Sequence, residues 1–443
     1  MKRALVMLLA LGLSPTANAQ PTYDLLLKGG HVIDARNGLS AVRDVAITGK
    51  TIAAVAANIP AASAKRTVNV SGLYVTPGLV DMHVHVYTGE KGATYAGGYL
   101  SVAADNYTLR TCTTTVADAG SSGWRSFEDF KKREIDRSKT RILAFLNVVG
   151  VGMREGQLEQ NVDDMEVQPA IDMARKYKGT IIGIKSAHYS GPGWTPYEHA
   201  EEIARAVDVP VMVDFGSNLR NGRTIMELFQ KYFRPGDIYT HMYGGVRGEQ
   251  NAETRGPSDG FIWGRKNGII LDVGHGGGSF RWSAAIPMMK AGFVPDSIST
   301  DLHTSSSQTG MKDMLDVMSK FLALGMSLDD VIKLSTANPA KEIKRTDLGT
   351  LSVGGPADVA VLRVEKGSFG FVDQVGARVM GKERLSCEVT LRDGAMVYDA
   401  NGLTRDPFDP TAPLPPAGGG AAAPATGRGA GAAPAPAPAS GRQ

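Results

Sequence analysis

Val75-Thr76-Pro77-Gly78-Leu79-Val80-Asp81-Met82-His83-Val84-His85 is the stretch whose reading decides the fold of this chain. Apolar and β-branched residues run up to two histidines two apart, and on a strand residues i and i+2 face the same side. Both imidazoles can therefore reach one metal ion from the end of a strand. The same triplet also fits plain surface alternation on a half-exposed strand. What separates the two readings is whether further ligand-type residues recur at comparable places.

Between about Gly78 and Ala340 short apolar runs alternate with longer amphipathic stretches, the pattern of a parallel sheet with crossover helices. Candidate strands end near His83, Asp118, Val148, Ser186, Asp214, His241, Val273 and Asp301. Eight of them fit a closed (β/α)8 TIM-like barrel of about 250 residues, whose reactive groups sit at the carboxyl ends of the strands. Helices are expected over Ser126–Ser138, Val162–Lys178, Pro196–Val207, Thr224–Phe233 and Gly310–Leu324. A doubly wound open sheet is the alternative, but no Gly-x-Gly-x-x-Gly turn opens the first helix.

Outward from this centre, Tyr23 to Tyr74 reads as short strands punctuated by Gly29-Gly30, Asn37-Gly38 and Gly49-Lys50. A matching set runs from Asp358 to Tyr398. Neither half has enough strands to close a core alone, so one small β-sandwich built from the N- and C-terminal segments is expected, with the barrel inserted in it. The boundaries are 20–74 and 346–404 for the sandwich and 75–345 for the α/β barrel.

Residues 1–19 have the parts of a secretory signal peptide: Lys2-Arg3, the apolar run Ala4 to Leu13, and Ala17-Asn18-Ala19 before the cut. The apolar run is far short of the roughly 20 residues a membrane span needs, so no membrane anchor is expected and the mature chain is placed outside the cytoplasm, in a bacterial periplasm. The two cysteines, Cys112 and Cys387, are expected to be free and buried. A formal charge of +3 over 443 residues gives no reason to expect a nucleic-acid partner. Residues 405–443, mostly Pro, Ala and Gly, cannot offset the entropy of ordering and are expected to be disordered.

Ligand-type residues do recur at strand ends. Thr180-Ile181-Ile182-Gly183-Ile184 delivers Lys185, Val211-Met212-Val213 delivers Asp214, Ile238-Tyr239-Thr240 delivers His241, and Ser297-Ile298-Ser299-Thr300 delivers Asp301. Together with Pro-Gly-x-x-Asp-x-His-x-His at 77–85, Asn338-Pro339-Ala340 and Gly354-Gly355-Pro356-Ala357-Asp358, this text resembles the amidohydrolase superfamily. Gly183 to Gly191 and Asp272-Val273-Gly274-His275-Gly276-Gly277 resemble its amidohydrolase/deacetylase, dihydroorotase-like subgroup. The likeness covers nearly the whole chain apart from the signal and the tail.

The resemblance implies a binuclear Zn(2+) centre. His83, His85 and Asp301 would hold one ion, and Lys185, carboxylated on Nζ by CO2, would bridge to a second that His241 and a fifth-strand residue complete. An unmodified Lys185 in a salt bridge is the alternative. The fifth-strand position departs from the family, which usually has histidine where this chain has Asp214. Asp214 would ligate directly, since carboxylates bind zinc at about 2.0–2.2 Å, or would stand behind the ligands. Asp301 would be the catalytic acid/base acting with a metal-bridging hydroxide.

His275 would meet a substrate carboxylate or serve a local structural role, while His188 and Tyr189 are candidates to line the substrate pocket. Tyr243, Arg247 and Arg281 are further candidate substrate contacts. His303 would stand behind the metal ligands, whereas His31 and His199 read as ordinary structural residues. The function expected is that of a secreted zinc-dependent hydrolase cleaving an amide or ester bond of a small acylated amino or hydroxy acid. A cyclic amidase, lactonase or dipeptidase on the same centre is the alternative, as is a barrel that binds without catalysis. Homo-oligomerisation stays open. Dihydroorotase itself is disfavoured, because Tyr87 stands where that enzyme carries a carboxylate-gripping arginine.

Overall fold

Runs of β-branched and apolar residues form fifteen strands in the computed structural model, which describes residues 22–89, 100–153, 156–216 and 222–411. The signal segment lies outside these residues, and so does the tail from 412 onward. The N-terminal strands are β1 Tyr23–Asp34, β2 Leu39–Thr48, β3 Thr51–Ala56, β4 Ala64–Asn69 and β5 Tyr74–Pro77. The central strands are β6 Leu79–Val84, β7 Thr113–Gly123, β8 Arg141–Asn147, β9 Ile181–Ala187, β10 Val211–Asp214, β11 Ile238–Tyr239 and β12 Ile270–Leu271. The C-terminal ones are β13 Val359–Val372, β14 Arg378–Arg392 and β15 Ala395–Asp399.

The central strands make one parallel sheet in chain order, β6 to β12, with every residue of β6 and β7 buried. Sequential order excludes the doubly wound alternative, in which the order reverses at a switch point. The eighth strand expected, ending near Asp301, forms no continuous ladder; residues 297–302 instead join the sheet through isolated bridges, Asp272↔Ser297 on one edge and Val84↔Leu302 on the other. Its backbone also bonds both edges: His275 N–H donates to Ser299 O at 3.2 Å and Asp301 N–H to His83 O at 2.7 Å. The carboxyl ends of β6 and of segment 297–302 thus lie side by side.

The two ends of the chain meet in a single eight-stranded sheet of order β15-β14-β13-β5-β1-β2-β3, with β4 also paired to β1. The sandwich is therefore one continuous hydrogen-bonded sheet. Short β5 is the seam, parallel to β1 and antiparallel to β13, with Val75 opposite Val361. Leu27, Val32, Val45, Val75, Val361 and Val389 share one buried apolar cluster, so both halves supply the same core.

Helices fall where the amphipathic stretches predict, with ends set by capping. Expected Gly310–Leu324 begins at Met314, because Asp313 accepts the Asp316 N–H at 2.9 Å and so fixes the first turn there. Expected Ser126–Ser138 is a four-residue α turn, Phe127–Phe130, continued by a wider π turn over Lys131–Ile135.

The cysteines correct the sequence reading. Cys112 and Cys387 form a disulfide with Cα atoms 5.6 Å apart, and no free cysteine remains. β14 packs against the segment before β7, where the Thr390 hydroxyl donates to Leu109 O at 2.7 Å. That packing brings together two thiols 275 residues apart, a pairing no spacing rule announces.

Candidate metal centre

His83 is held at the end of β6 by a chain of hydrogen bonds whose polarity can be worked out. Asp272 accepts the Thr240 hydroxyl at 2.8 Å, along with those of Ser297 at 2.9 Å and Ser299 at 2.7 Å. Thr240 Oγ1, its own proton committed, accepts from His83 Nδ1 at 2.8 Å. Nε2 therefore carries the lone pair, and it lies 3.5 Å from Asp301 Oδ1. His85 pairs through Nδ1 with Ser121 Oγ at 2.9 Å and presents Nε2 to Asp301 Oδ1 at 3.1 Å. Ser121 is fixed in turn by Asp118, which accepts its N–H at 2.7 Å. Orientation of a histidine through its second nitrogen is the usual way a metal ligand is prepared.

The ligand atoms of His83, His85 and Asp301 all lie within 4.8 Å of one another, and all three residues are buried. Two imidazoles and a carboxylate converging in a dry site suit a borderline divalent cation such as zinc. Burial and the neighbouring Lys185 hold the His83 pKa well below the ordinary imidazole value, which favours the neutral, ligating form.

Asp301 reaches this point from a left-handed backbone at φ 51°, rare for a residue with a Cβ. Ser306 Oγ, at 2.9 Å, and His303 Nδ1, at 2.8 Å, donate to its carbonyl. Burial opposes charge on its carboxyl, but His83, His303 and His85 outweigh it and hold the pKa well below the usual carboxylate range.

Lys185 ends β9 with 1% exposure. Its Nζ is 3.4 Å from His83 Nε2 and 3.6 Å from Met212 Sδ, and no carboxylate of the described residues lies within ion-pair distance. A lone buried ammonium is costly, and burial lowers its pKa toward the neutral amine against the pull of Asp214 and Asp301.

Asp214 closes β10 and gathers its own group. Oδ2 is 3.2 Å from His241 Nε2 and 3.0 Å from His188 Nε2, while Oδ1 accepts the Gly216 N–H at 2.8 Å and lies 3.4 Å from Arg247 Nε. His241 Nδ1 donates to Gly274 O at 2.5 Å, and His188 Nδ1 donates to Glu159 Oε2 at 2.9 Å. Burial alone would lower the His188 pKa, but Asp214 and Glu159 push it up to about 10.

Other expected site residues are placed differently. His275 is fully buried and stacked on Phe280 at 4.5 Å, with Nδ1 donating to Gly276 O at 2.8 Å and Nε2 accepting from Lys320 Nζ at 2.7 Å. Both nitrogens are used inside the protein, which fits the local structural role. Tyr189 is 6% exposed and its hydroxyl donates to Pro192 O at 3.0 Å. The fully buried Tyr243 donates to Phe293 O at 3.0 Å, Arg247 faces Asp214 and Glu249, and Tyr87 donates to Asp129 at 2.7 Å. Partly exposed Arg281 precedes the helix Trp282–Lys290. His31 pairs with Ser40 Oγ at 3.0 Å and His199 donates to Met165 O at 2.8 Å, both away from the centre.

Residues 281–381 match the model of the amidohydrolase family. A deacetylase of Brucella anthropi is 32% identical over 337 residues, covering 74% of this chain and 80% of that protein. The chain belongs to the amidohydrolase family. A deacetylase of Agrobacterium fabrum is 31% identical over 336 residues, covering 73% of this chain and 79% of its own. Among solved structures, an adenine deaminase superposes with a TM-score of 0.78 at 26% identity, covering 85% of this chain and 100% of that one. As an amidohydrolase the protein is a metal-dependent hydrolase, and His83, His85 and Asp301 are its buried metal-binding group. No helix among the described residues is long and apolar enough to cross a membrane.

Sequence reasoning missed Thr240 and Ser121, which orient this amidohydrolase's His83 and His85, and Glu159, which pairs with His188. Asp272 stood inside a quoted motif, but its role as acceptor of three hydroxyls was not visible there. Glu159 carries no signal at all in its own segment, because its partner His188 lies 29 residues away.

Proposed function

We propose that the protein is a zinc-dependent deacetylase hydrolysing an amide or ester bond of a small acylated amino or hydroxy acid. The observation that carries this reading is the convergence of His83, His85 and Asp301 within 4.8 Å in a buried site. Similarity to two deacetylases supports the reaction class. The reading includes two zinc ions per subunit and carboxylation of Lys185 by CO2, which the lack of a carboxylate partner for that buried amine supports.

When bound, the metal supplies a Lewis acid for the carbonyl oxygen and brings the pKa of water down to about 7. Asp301, kept ionised, takes the proton of the attacking water and returns it to the departing amine or alcohol. His303 and Ser306 hold its backbone so that the carboxylate stays turned inward. Thr240 and Ser121 keep the imidazoles of His83 and His85 in ligating orientation, and burial keeps bulk water from competing.

The test is a substrate panel offered to the protein prepared with zinc and bicarbonate: N-acetyl amino acids, acetylated hydroxy acids, lactones, cyclic amides, dipeptides and adenine. Chelator-sensitive hydrolysis of the first two groups is expected. Adenine is the contrast arm because of the adenine deaminase likeness. Turnover of adenine or cyclic amides alone would replace the deacetylase reading, and no turnover with zinc bound would favour a binding role.

We also place the mature chain in the periplasm, a reading that the Cys112–Cys387 disulfide supports. Cell fractionation with amino-terminal sequencing is expected to find a mature start at Gln20. A cytoplasmic chain that keeps Met1 would reject it.

A further inference from the structure

We propose that His188 is a metal ligand, and that with Asp214 and His241 it builds a second cation site in which it supplies the nitrogen missing from the strand-five position. The inference rests on the metalloenzyme reading above and concerns how this chain completes the centre.

The geometry begins at one atom. Asp214 Oδ2 lies 3.0 Å from His188 Nε2 and 3.2 Å from His241 Nε2. On both rings the other nitrogen is already spent, since His241 Nδ1 donates to a backbone carbonyl and His188 Nδ1 to a carboxylate. Each Nε2 is thus turned toward the same carboxylate oxygen, so a divalent cation bound at Asp214 Oδ2 would exchange two ion pairs for ligand bonds to both rings. The Glu159–His188 pair repeats the carboxylate–histidine arrangement that fixes tautomer and raises ligand basicity at metal sites. Glu159 is 5% exposed, and its second oxygen, Oε1, has no hydrogen-bond partner among the described residues. Its placement against His188 therefore serves this one bond.

The loop is also built to hold the ring. Gln160, next to Glu159, donates through Nε2 to His188 O at 3.1 Å and accepts the Ser190 N–H on Oε1 at 2.7 Å. Two consecutive residues of the turn Gly156–Gln160 thus clamp the ring and the backbone of His188. His188 takes a left-handed φ of 57°, a conformation that non-glycine residues keep only when the surroundings demand it. Arg247 stays on the opposite oxygen, Oδ1. The donor set of two imidazoles and one carboxylate matches zinc or cobalt, with more tolerance of manganese than three imidazoles would give.

The test reads metal binding directly. Metal-stripped protein in bicarbonate buffer is titrated with Co2+ and followed by elemental analysis and visible absorption, for the parent, His188→Asn and Glu159→Gln. Two equivalents are expected in the parent. His188→Asn should keep the equivalent on His83, His85 and Asp301 and lose the other, with the matching part of the cobalt spectrum. Glu159→Gln, which leaves the ligand in place, should weaken only the second equivalent by about 10–100-fold. His188→Asn binding two equivalents with parental affinity and spectrum overturns this site alone, as does a parent that binds one equivalent unaffected by His188→Asn. A parent that takes no cation overturns the metalloenzyme reading and this site with it.

Discussion

Gly276 is where the cost of a single carbon atom can be read. A Cβ built there would sit 2.3 Å from Asp301 Oδ2, on a backbone at φ 54° that disfavours any side chain. Gly276→Ala must therefore displace the carboxylate or the loop. A fall in kcat is expected, with stability reduced by about 1 kcal/mol or more, checked by steady-state kinetics beside thermal melts. A parental kcat would remove the steric argument. Asp301→Asn keeps the shape but not the proton acceptor, so kcat should fall by about 10²–10⁴-fold with metal content unchanged by elemental analysis. Near-normal turnover would exclude Asp301 as the acid/base. At this scale the ligands were legible because each sits at a strand end, where the sequence changes from apolar to polar. Their orienting partners were not, because a Thr–Asp or His–Ser hydrogen bond depends on separate segments meeting in space.

Among elements, the glycine-rich loop after β12 shows how a motif stays ambiguous when read alone. His275 was read as a substrate-carboxylate contact or a local structural residue, and the helix Met314–Ala323 sends buried Lys320 to its Nε2, to Gly310 O and, at 3.3 Å, toward Asp316. Lys320→Met strands these acceptors and should lower stability by about 1–3 kcal/mol, read as a shift in urea midpoint. An unchanged midpoint would show the loop to be held by Phe280 stacking alone. In the terminal sheet, Asp44 ties β2 to β1 and to the following loop. Burial would raise its pKa, but the Ile59 N–H at 2.7 Å, Lys28 Nζ at 2.9 Å and the Gly29 N–H at 2.8 Å outweigh it and lower the pKa. A lowered folded-state pKa adds stability that is complete above the unfolded value, about 3.9, and is lost as pH falls through the folded one. Asp44→Asn should thus lose stability at pH 6 but show a shallower decline below about pH 4. Parallel stability–pH curves for the two proteins would remove Asp44 from the acid response.

For the molecule as a whole, alternation of apolar runs with amphipathic stretches announced the parallel sheet, and the matching β-rich ends announced their shared sheet. The disulfide escaped because sequence says nothing about which strand of the terminal sheet lies over which end of the central one. Cys112 and Cys387 close a loop of 275 residues. Replacing both with alanine should cost about 2–5 kcal/mol, read as a lower Tm than the oxidised parent. Equal melting would mean the packing alone fixes that junction. One more consequence lies in the seam. β5 has only four residues and draws its second neighbour, β13, from a segment 282 positions later, at Val359 opposite Pro77. While the chain is being made, this margin stays open to stray strands until nearly the last hundred residues emerge. A truncated product should therefore clump rather than circulate as a working fragment, since an open strand margin invites foreign pairing.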